Sequence, residues 1–417
     1  MKKYFFLRNS VKTAVAIVAT TVMAMGMTAC SSDDDELFET DQAMTRGGGA
    51  APVSYVERSW DGTQVVSMVK TVTDYQVLSD INKDKIFKME PGKWYVVKSN
   101  FEQWLIQAPS GQPANLIVCN GATVTGRLVI DEGHSLNIYS QEGDGGKVNT
   151  RADYNPTTRE RYPAIGSMES MGTLTIHGGT ISAISKGFKM LSGIGGGRGG
   201  SGGKVTIYGG SITAEGGASG AGIGSGTGVY DCDSPWDRRP KNNGGTLTVY
   251  GGSVNATGGM YAAGIGGGGD ANGGTVTIYG GKVRATGGTD AAGIGSGEES
   301  TLAPNIHGGS LTVYGGEVFA DGTDWGAGIG GGENADGATV KIFGGTVTAW
   351  AGEDAGKKNG SAIGSEDGDG HRGSLKLGDN MKVWAGQNPS DADKNLFPFE
   401  TRVPACYFRP FARIVAK

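Results

Sequence analysis

The amino-acid sequence predicts an all-β fold, a parallel β-helix (β-solenoid) with a cap at each end. Three observations predict it. Glycine accounts for 77 of 417 residues, against about 7 % in ordinary usage. One glycine-punctuated unit recurs through the middle of the chain. Within that unit apolar and polar residues alternate over stretches of four or five, which is the period of strands.

The unit is plainest from Gly202 to Gly224. Gly202-Gly203 opens it. Val205 and Ile207 then point one way, with Thr206 and Tyr208 the other. Gly209-Gly210 makes a corner, and Ile212 and Ala214 share the next inner face. A loop follows, and Ile223 supplies the third inner contact. Further copies start at Gly172, Gly244, Gly273, Gly308 and Gly337, and a fragment at Gly373. The closest pair of equivalent residues, Tyr250 and Tyr279, sets the period, and the longer spacings come from insertions at Tyr230–Asn243 and Glu298–Ile306. Helix is excluded, because no apolar spacing of three or four persists and glycine interrupts every few residues. Three short strands with one apolar face each bury nothing alone, so the copies must stack in parallel. Roughly nine coils make a rod on the order of 45 Å long, and the handedness of parallel crossovers predicts a right-handed winding.

The ends differ from the middle. Pro52–Ala114 lacks the repeat and carries Tyr55, Trp60, Tyr75, Trp94, Tyr95 and Trp104. It reads as a strand-rich cap or a small separate module, with a short helix near Asp80–Lys85. The last residues lose their glycines and carry Phe397, Phe399, Tyr407, Phe408 and Phe411, which would close the core. The N-terminus reads as an address. Lys2, Lys3, Arg8 and Lys12 precede an apolar run, Thr13–Met27, too short to span a membrane comfortably. Met27-Thr28-Ala29-Cys30 resembles a lipobox, with Met27 where Leu is usual. Acyl chains on Cys30 would then anchor the protein. The acidic run Ser31–Glu36 resembles the tag of outer-leaflet lipoproteins of Gram-negative bacteria. The resulting division is a signal peptide (1–29), an acidic and glycine-rich tether (30–51), the N-terminal cap or module (52–114), the solenoid (115–386) and a C-terminal cap (387–417).

The repeats resemble the right-handed parallel β-helix of the pectate-lyase-like group. More closely, they resemble glycine-rich repeat proteins of bacterial surfaces of the carbohydrate-binding-domain-containing type. That resemblance covers about Asn115–Gly386 and is specific for architecture rather than activity. Together with the lipobox-like Met27–Cys30 and the acidic run, it implies a lipid-anchored outer-membrane protein facing the cell exterior, with polysaccharide or a host glycan as ligand and the membrane as the other partner.

The residues themselves support a non-enzymatic role, glycan binding or adhesion as an adhesin, better than catalysis. His177, Tyr208, Tyr250, Tyr279, Tyr314 and Phe343 fall at one position in successive copies, with Tyr139 extending the series. An outward ladder of rings offers stacking surface to sugars, or it stabilises the solenoid by ring-on-ring contact alone. Four residues before each inner Ile stand Ser219, Tyr261, Asp290 and Trp325, a variable edge with Glu317, Asp321 and Asp324 nearby. The candidate glycan contacts are therefore Tyr208, Tyr250, Tyr279, Tyr314, Tyr261 and Trp325. The alternatives are a pectate-lyase-like lyase or glycoside hydrolase, which would need paired carboxyl groups, and a structural spacer or matrix component. Acidic residues are scattered (Asp290, Glu317, Asp321, Asp324, Glu353, Asp354), and no catalytic set is assigned.

Other chemistry finds little footing. The formal net charge is −5, from 37 basic and 42 acidic residues, which gives no footprint for nucleic acid. Glycine patterns such as Gly193–Gly200 open no helix after a strand, so no dinucleotide cofactor is expected. Cys30, Cys119, Cys232 and Cys406 match no zinc spacing, and His134, His177, His307 and His371 are dispersed, so no metal site is assigned. Glu366–Gly370 lacks the spaced ligands of an EF-hand loop.

Overall fold

The computed structural model describes residues 51–79, 86–154, 161–187, 190–228, 242–300, 305–352, 360–365, 373–386 and 411–417. Among them every regular element is a β-strand. Each repeat contributes three strands, and strands of the same kind stack into parallel sheets.

The first sheet has 11 strands, from Gln76–Val77 to Ser374–Leu377. Its register carries the repeat one rung at a time. Val205 pairs with Leu247, Leu247 with Val276 and Val276 with Leu311. With strands about 4.8 Å apart, this face is about 48 Å long. The second sheet stacks strands such as Ser211–Glu215 and Ser253–Thr257. Alanine stands inward there at Ala214, Ala256, Ala285, Ala320 and Ala349, all fully buried. Small side chains on that face let the opposite walls close without voids. The third sheet is built from two-residue Ile-Gly strands, from Ile165–Gly166 to Ile363–Gly364. Its isoleucines are buried and meet the Val, Leu and Ile of the first sheet in one continuous core. The second and third sheets join through Thr123–Val129. The first half of that strand pairs with Lys147–Thr150 and its second half with Ile165–Gly166, bending at Gly126.

Both ends depart from expectation. The parallel ladder begins before 115. Gln76–Val77 pairs with Tyr95–Val96, and Trp94–Val97 with Asn115–Val118. These rungs are built from Val, Leu, Tyr and Trp with few glycine corners, so they do not show the repeat in sequence. The expected helix at 80–85 lies outside the described residues. So do the signal peptide, nearly all of the tether and Cys30, and Phe397, Phe399, Tyr407 and Phe408 of the C-terminal cap. The last seven residues supply an inserted strand. Phe411–Ala416 runs antiparallel between Thr346–Trp350 and Met381–Gly386 within the second sheet. Its alternation explains the fit, since Ala412 and Ile414 point into the core beside Ala349 and Val347.

The N-terminal segment also departs from a simple cap. Strands β1 (Val53–Trp60) and β2 (Val65–Val72) form an antiparallel hairpin, a sheet of their own. Asp61 holds its turn by accepting from the Thr63 and Gln64 N–H groups at 2.8 and 2.9 Å. The hairpin reaches along the flank of the solenoid, as its ring contacts below show.

Candidate functional site

The aromatic series forms a true column. Each ring follows the last residue of a first-sheet strand, and register places those residues in line. The N–H groups of Tyr208, Tyr250, Tyr279, Tyr314 and Phe343 each donate to the rung before, at 2.8–2.9 Å. Ring centroids then fall 4.9 Å apart for Tyr208–Tyr250, 4.8 Å for Tyr250–Tyr279 and 4.9 Å for Tyr279–Tyr314, with planes within 12°. Tyr139 and His177 continue the column upstream at 4.3 Å, and Phe343 ends it 5.5 Å from Tyr314. Stacking at this spacing is worth about 0.5–1.5 kcal/mol per pair beyond burial. It also hides the faces of every inner ring.

The hairpin covers the first part of the column. Tyr55 packs on Trp94 and Tyr139 at 4.7 and 5.1 Å. The Arg58 guanidinium donates to both carboxylate oxygens of Asp144, at 3.1 and 2.9 Å, and to the His177 carbonyl. Asp144 is held for this by the Ser140 hydroxyl at 2.5 Å. A Cβ at Gly178 would stand 2.3 Å from Arg58 Nη1, so glycine at that corner makes room for the clamp. Trp60, at the hairpin tip, lies over the gap between Tyr250 and Tyr279, 5.2 and 5.1 Å from their centroids.

Exposure follows from this cover. The expectation of an open column fails for its first members, since Tyr139 and His177 are 4 % and 8 % exposed. Burial pushes the Tyr139 hydroxyl pKa up, and it lowers the His177 imidazole to about 4, so that ring is neutral. Tyr208, Tyr250 and Tyr279 are half-buried. Desolvation and the neighbouring hydroxyls of Tyr208 and Tyr279 raise the Tyr250 pKa. Tyr314 and Phe343 are exposed, at 48 % and 38 %. The ladder continues beyond Phe343 with Gly378, whose N–H donates to Ile342 at 2.9 Å. Glycine there supplies no ring, and among the described residues no ring lies against the far face of Phe343.

Tyr261 and Trp325 are not brought to this column. They occupy the corner between second and third sheets, whereas the column follows the first-sheet strands. Tyr261 is exposed and Trp325 half-buried. Asp290 and Asp324 adopt left-handed backbone at these corners, with φ of 61° and 47°. Glu317 and Asp321 are engaged in ion pairs across the second sheet, with Lys282 at 3.5 Å and Arg284 at 2.5 Å.

A cluster that the sequence reading missed stands beside Asp290. Burial, and then Glu333, Asp290 and Asp270, push the Glu298 carboxyl up to about 7. Glu333 is raised in the same sense by burial and Asp290. The backbone explains the meeting, because Glu298 N–H donates to the Tyr261 carbonyl at 3.2 Å and Glu333 N–H to that of Asp290 at 2.7 Å. The available signal was positional: Glu298 and Glu333 both stand four residues after an inner Ile.

The remaining candidates are separate. His134 Nδ1 lies 2.7 Å from the Ala108 carbonyl, and His307 Nδ1 2.7 Å from Asp336. Cys119 is buried in the core. Among the described residues no three His, Cys, Asp or Glu side chains gather as a metal-binding group. Cys232, Cys406, His371, Glu353, Asp354 and Glu366–Gly370 lie outside the described residues.

Six segments of the chain match the Beta helix repeat family, at residues 174–198, 205–227, 247–269, 276–298, 305–333 and 340–369. No curated protein and no solved structure matches the chain. The matched segments coincide with the rungs whose three strands stack in register. Residues 174–369 are therefore a run of Beta helix repeats, wound as one parallel solenoid.

Proposed function

We propose that this is a lipid-anchored surface protein with a non-enzymatic binding role, holding glycan on its aromatic column. Cys30 carries the lipid in this reading, and the solenoid carries the column. The supporting observation is the open end of the column. Tyr314 and Phe343 are large, exposed rings held by a backbone ladder, and among the described residues the outer face of Phe343 has no partner ring. Rigid rings on a rigid sheet lose little entropy when a sugar stacks on them. The narrower site differs from the full candidate set, since the inner tyrosines have their faces occupied by each other.

The test is a screen of the purified protein against soluble oligosaccharides, followed by titration of the best binder. Replacing Tyr314 and Phe343 together by Ala weakens binding about 10-fold, the loss expected for two ring contacts, with Tm moving by no more than a few degrees. Equal affinity in the parent and the double variant would falsify the site.

A further inference from the structure

The hairpin tip shows what the column accepts. Trp60 rests across Tyr250 and Tyr279 through ring contact, in the manner available to any flat apolar ring. The same arrangement of ring pairs recurs one and two rungs on, at Tyr279–Tyr314 and Tyr314–Phe343, where no hairpin ring lies. The geometry points to a second ring position, concealed beneath Trp60 along the side of the Tyr250–Tyr279 stack, that takes a sugar ring of an extended β-1,4-linked glucan once the hairpin lifts. This inference rests on the glycan-binding reading above.

Two features make the hairpin separable. β1 pairs with β2 and with no strand of the solenoid, so lifting it breaks no rung of the parallel ladder. A lone two-stranded hairpin is marginal in water, so its position depends on side-chain contacts. These are Tyr55 on Trp94 and Tyr139, Arg58 on Asp144 and His177, Trp60 on the column, and the burial of Val53 and Val56 beside Tyr55. Meanwhile the outer strand β2 is largely exposed.

The ligand class follows from shape. A β-linked glucan is an extended ribbon whose sugars carry their hydroxyls around the rim and leave flat C–H faces. Laid along the solenoid, its sugars advance at a pitch similar to the strand spacing of about 4.8 Å. Thr248, Thr277 and Thr312 line the sheet beside the column, two residues before each tyrosine, and offer hydroxyls to that rim. A hairpin that must first be displaced reduces apparent affinity by the fraction of time it is open.

The experiment uses the full-length protein with cellohexaose as probe. Calorimetric titration compares the parent with Trp60→Ala, Trp60→Phe and the Trp60→Ala/Tyr250→Ala pair, while hydrogen exchange follows the amides of residues 53–60. Trp60→Ala binds about 10-fold tighter than the parent. Trp60→Phe, which keeps a ring, behaves as the parent does, and adding Tyr250→Ala removes the gain. Cellohexaose speeds exchange in the parent hairpin. Unchanged or weaker binding by Trp60→Ala, or slower hairpin exchange with ligand, overturns the concealed position and leaves the Tyr314–Phe343 site standing. Absence of cellohexaose binding in every variant overturns both the concealed position and any β-glucan site on the column.

Discussion

Gly295 shows what single residues contribute to this fold. Its φ is +150°, and a Cβ there would lie 1.8 Å from the Gly330 carbonyl oxygen on the next rung. Gly166, Gly195, Gly224, Gly266 and Gly330 repeat the geometry with their own upper neighbours. The third sheet is narrow because one residue of each pair fills the core and the other lets backbone meet backbone. Gly295→Ala is expected to destabilise the protein by about 3 kcal/mol or more, from strain and the forced separation of two rungs. Gly111→Ala is the control. It also has positive φ (+81°), but a Cβ there meets nothing within 4 Å. Its cost is about 1–2 kcal/mol. Denaturant unfolding of both variants measures the difference, and equal costs would show that close approach is unimportant.

Among the elements, the hairpin is expected to respond to protonation of His177. His177 is held neutral chiefly by burial, although the hydrogen bond that its Nδ1–H donates to the Arg58 carbonyl at 2.8 Å and the charge of Glu57 oppose the shift. Arg58 and Lys70 add positive charge nearby, and Tyr139 and Tyr208 close its two faces. The docked imidazole has a pKa of about 4 against an ordinary 6.5. An undocked hairpin exposes a ring that takes up a proton below pH 6.5, so the docked state loses stability as pH falls from 6.5 toward 4. The full shift corresponds to a loss on the order of 3 kcal/mol. Proteolysis or hydrogen exchange of residues 53–60 between pH 7 and 4 should show progressive release. His177→Phe keeps the stack and flattens the profile; an unchanged profile in that variant would remove His177 as the cause. Little of this was readable beforehand. The segment's aromatic content marked it as something apart from the repeat, but its partners, from Trp94 to Tyr279, are scattered along the sequence with no period in common with it. Its alternation was compatible with a cap over the end just as with a strap along the flank.

At the scale of the repeats, residues 174–369 stack in one direction, since each repeat touches its neighbours and one core runs through them. In the proposed reading the lipobox-like Met27–Cys30 supplies the membrane anchor. Cys30→Ser is expected to move the protein from the membrane fraction to the soluble fraction, because a chain with no acyl group loses its anchoring energy. Metabolic labelling with an alkyne fatty acid checks the same point directly, and label on the Ser variant would count against Cys30. The repeats, their inward residues and the alignment of the tyrosines were all present in the order of amino acids. Period-two alternation with glycine corners has only one way to leave water, and stacking identical units puts identical positions in line. Only the folded chain decided which tyrosines are covered and where the ladder begins. It also decided that the last strand inserts antiparallel. Those outcomes depend on contacts between residues with no shared period, and a local pattern carries no information about such distant partners.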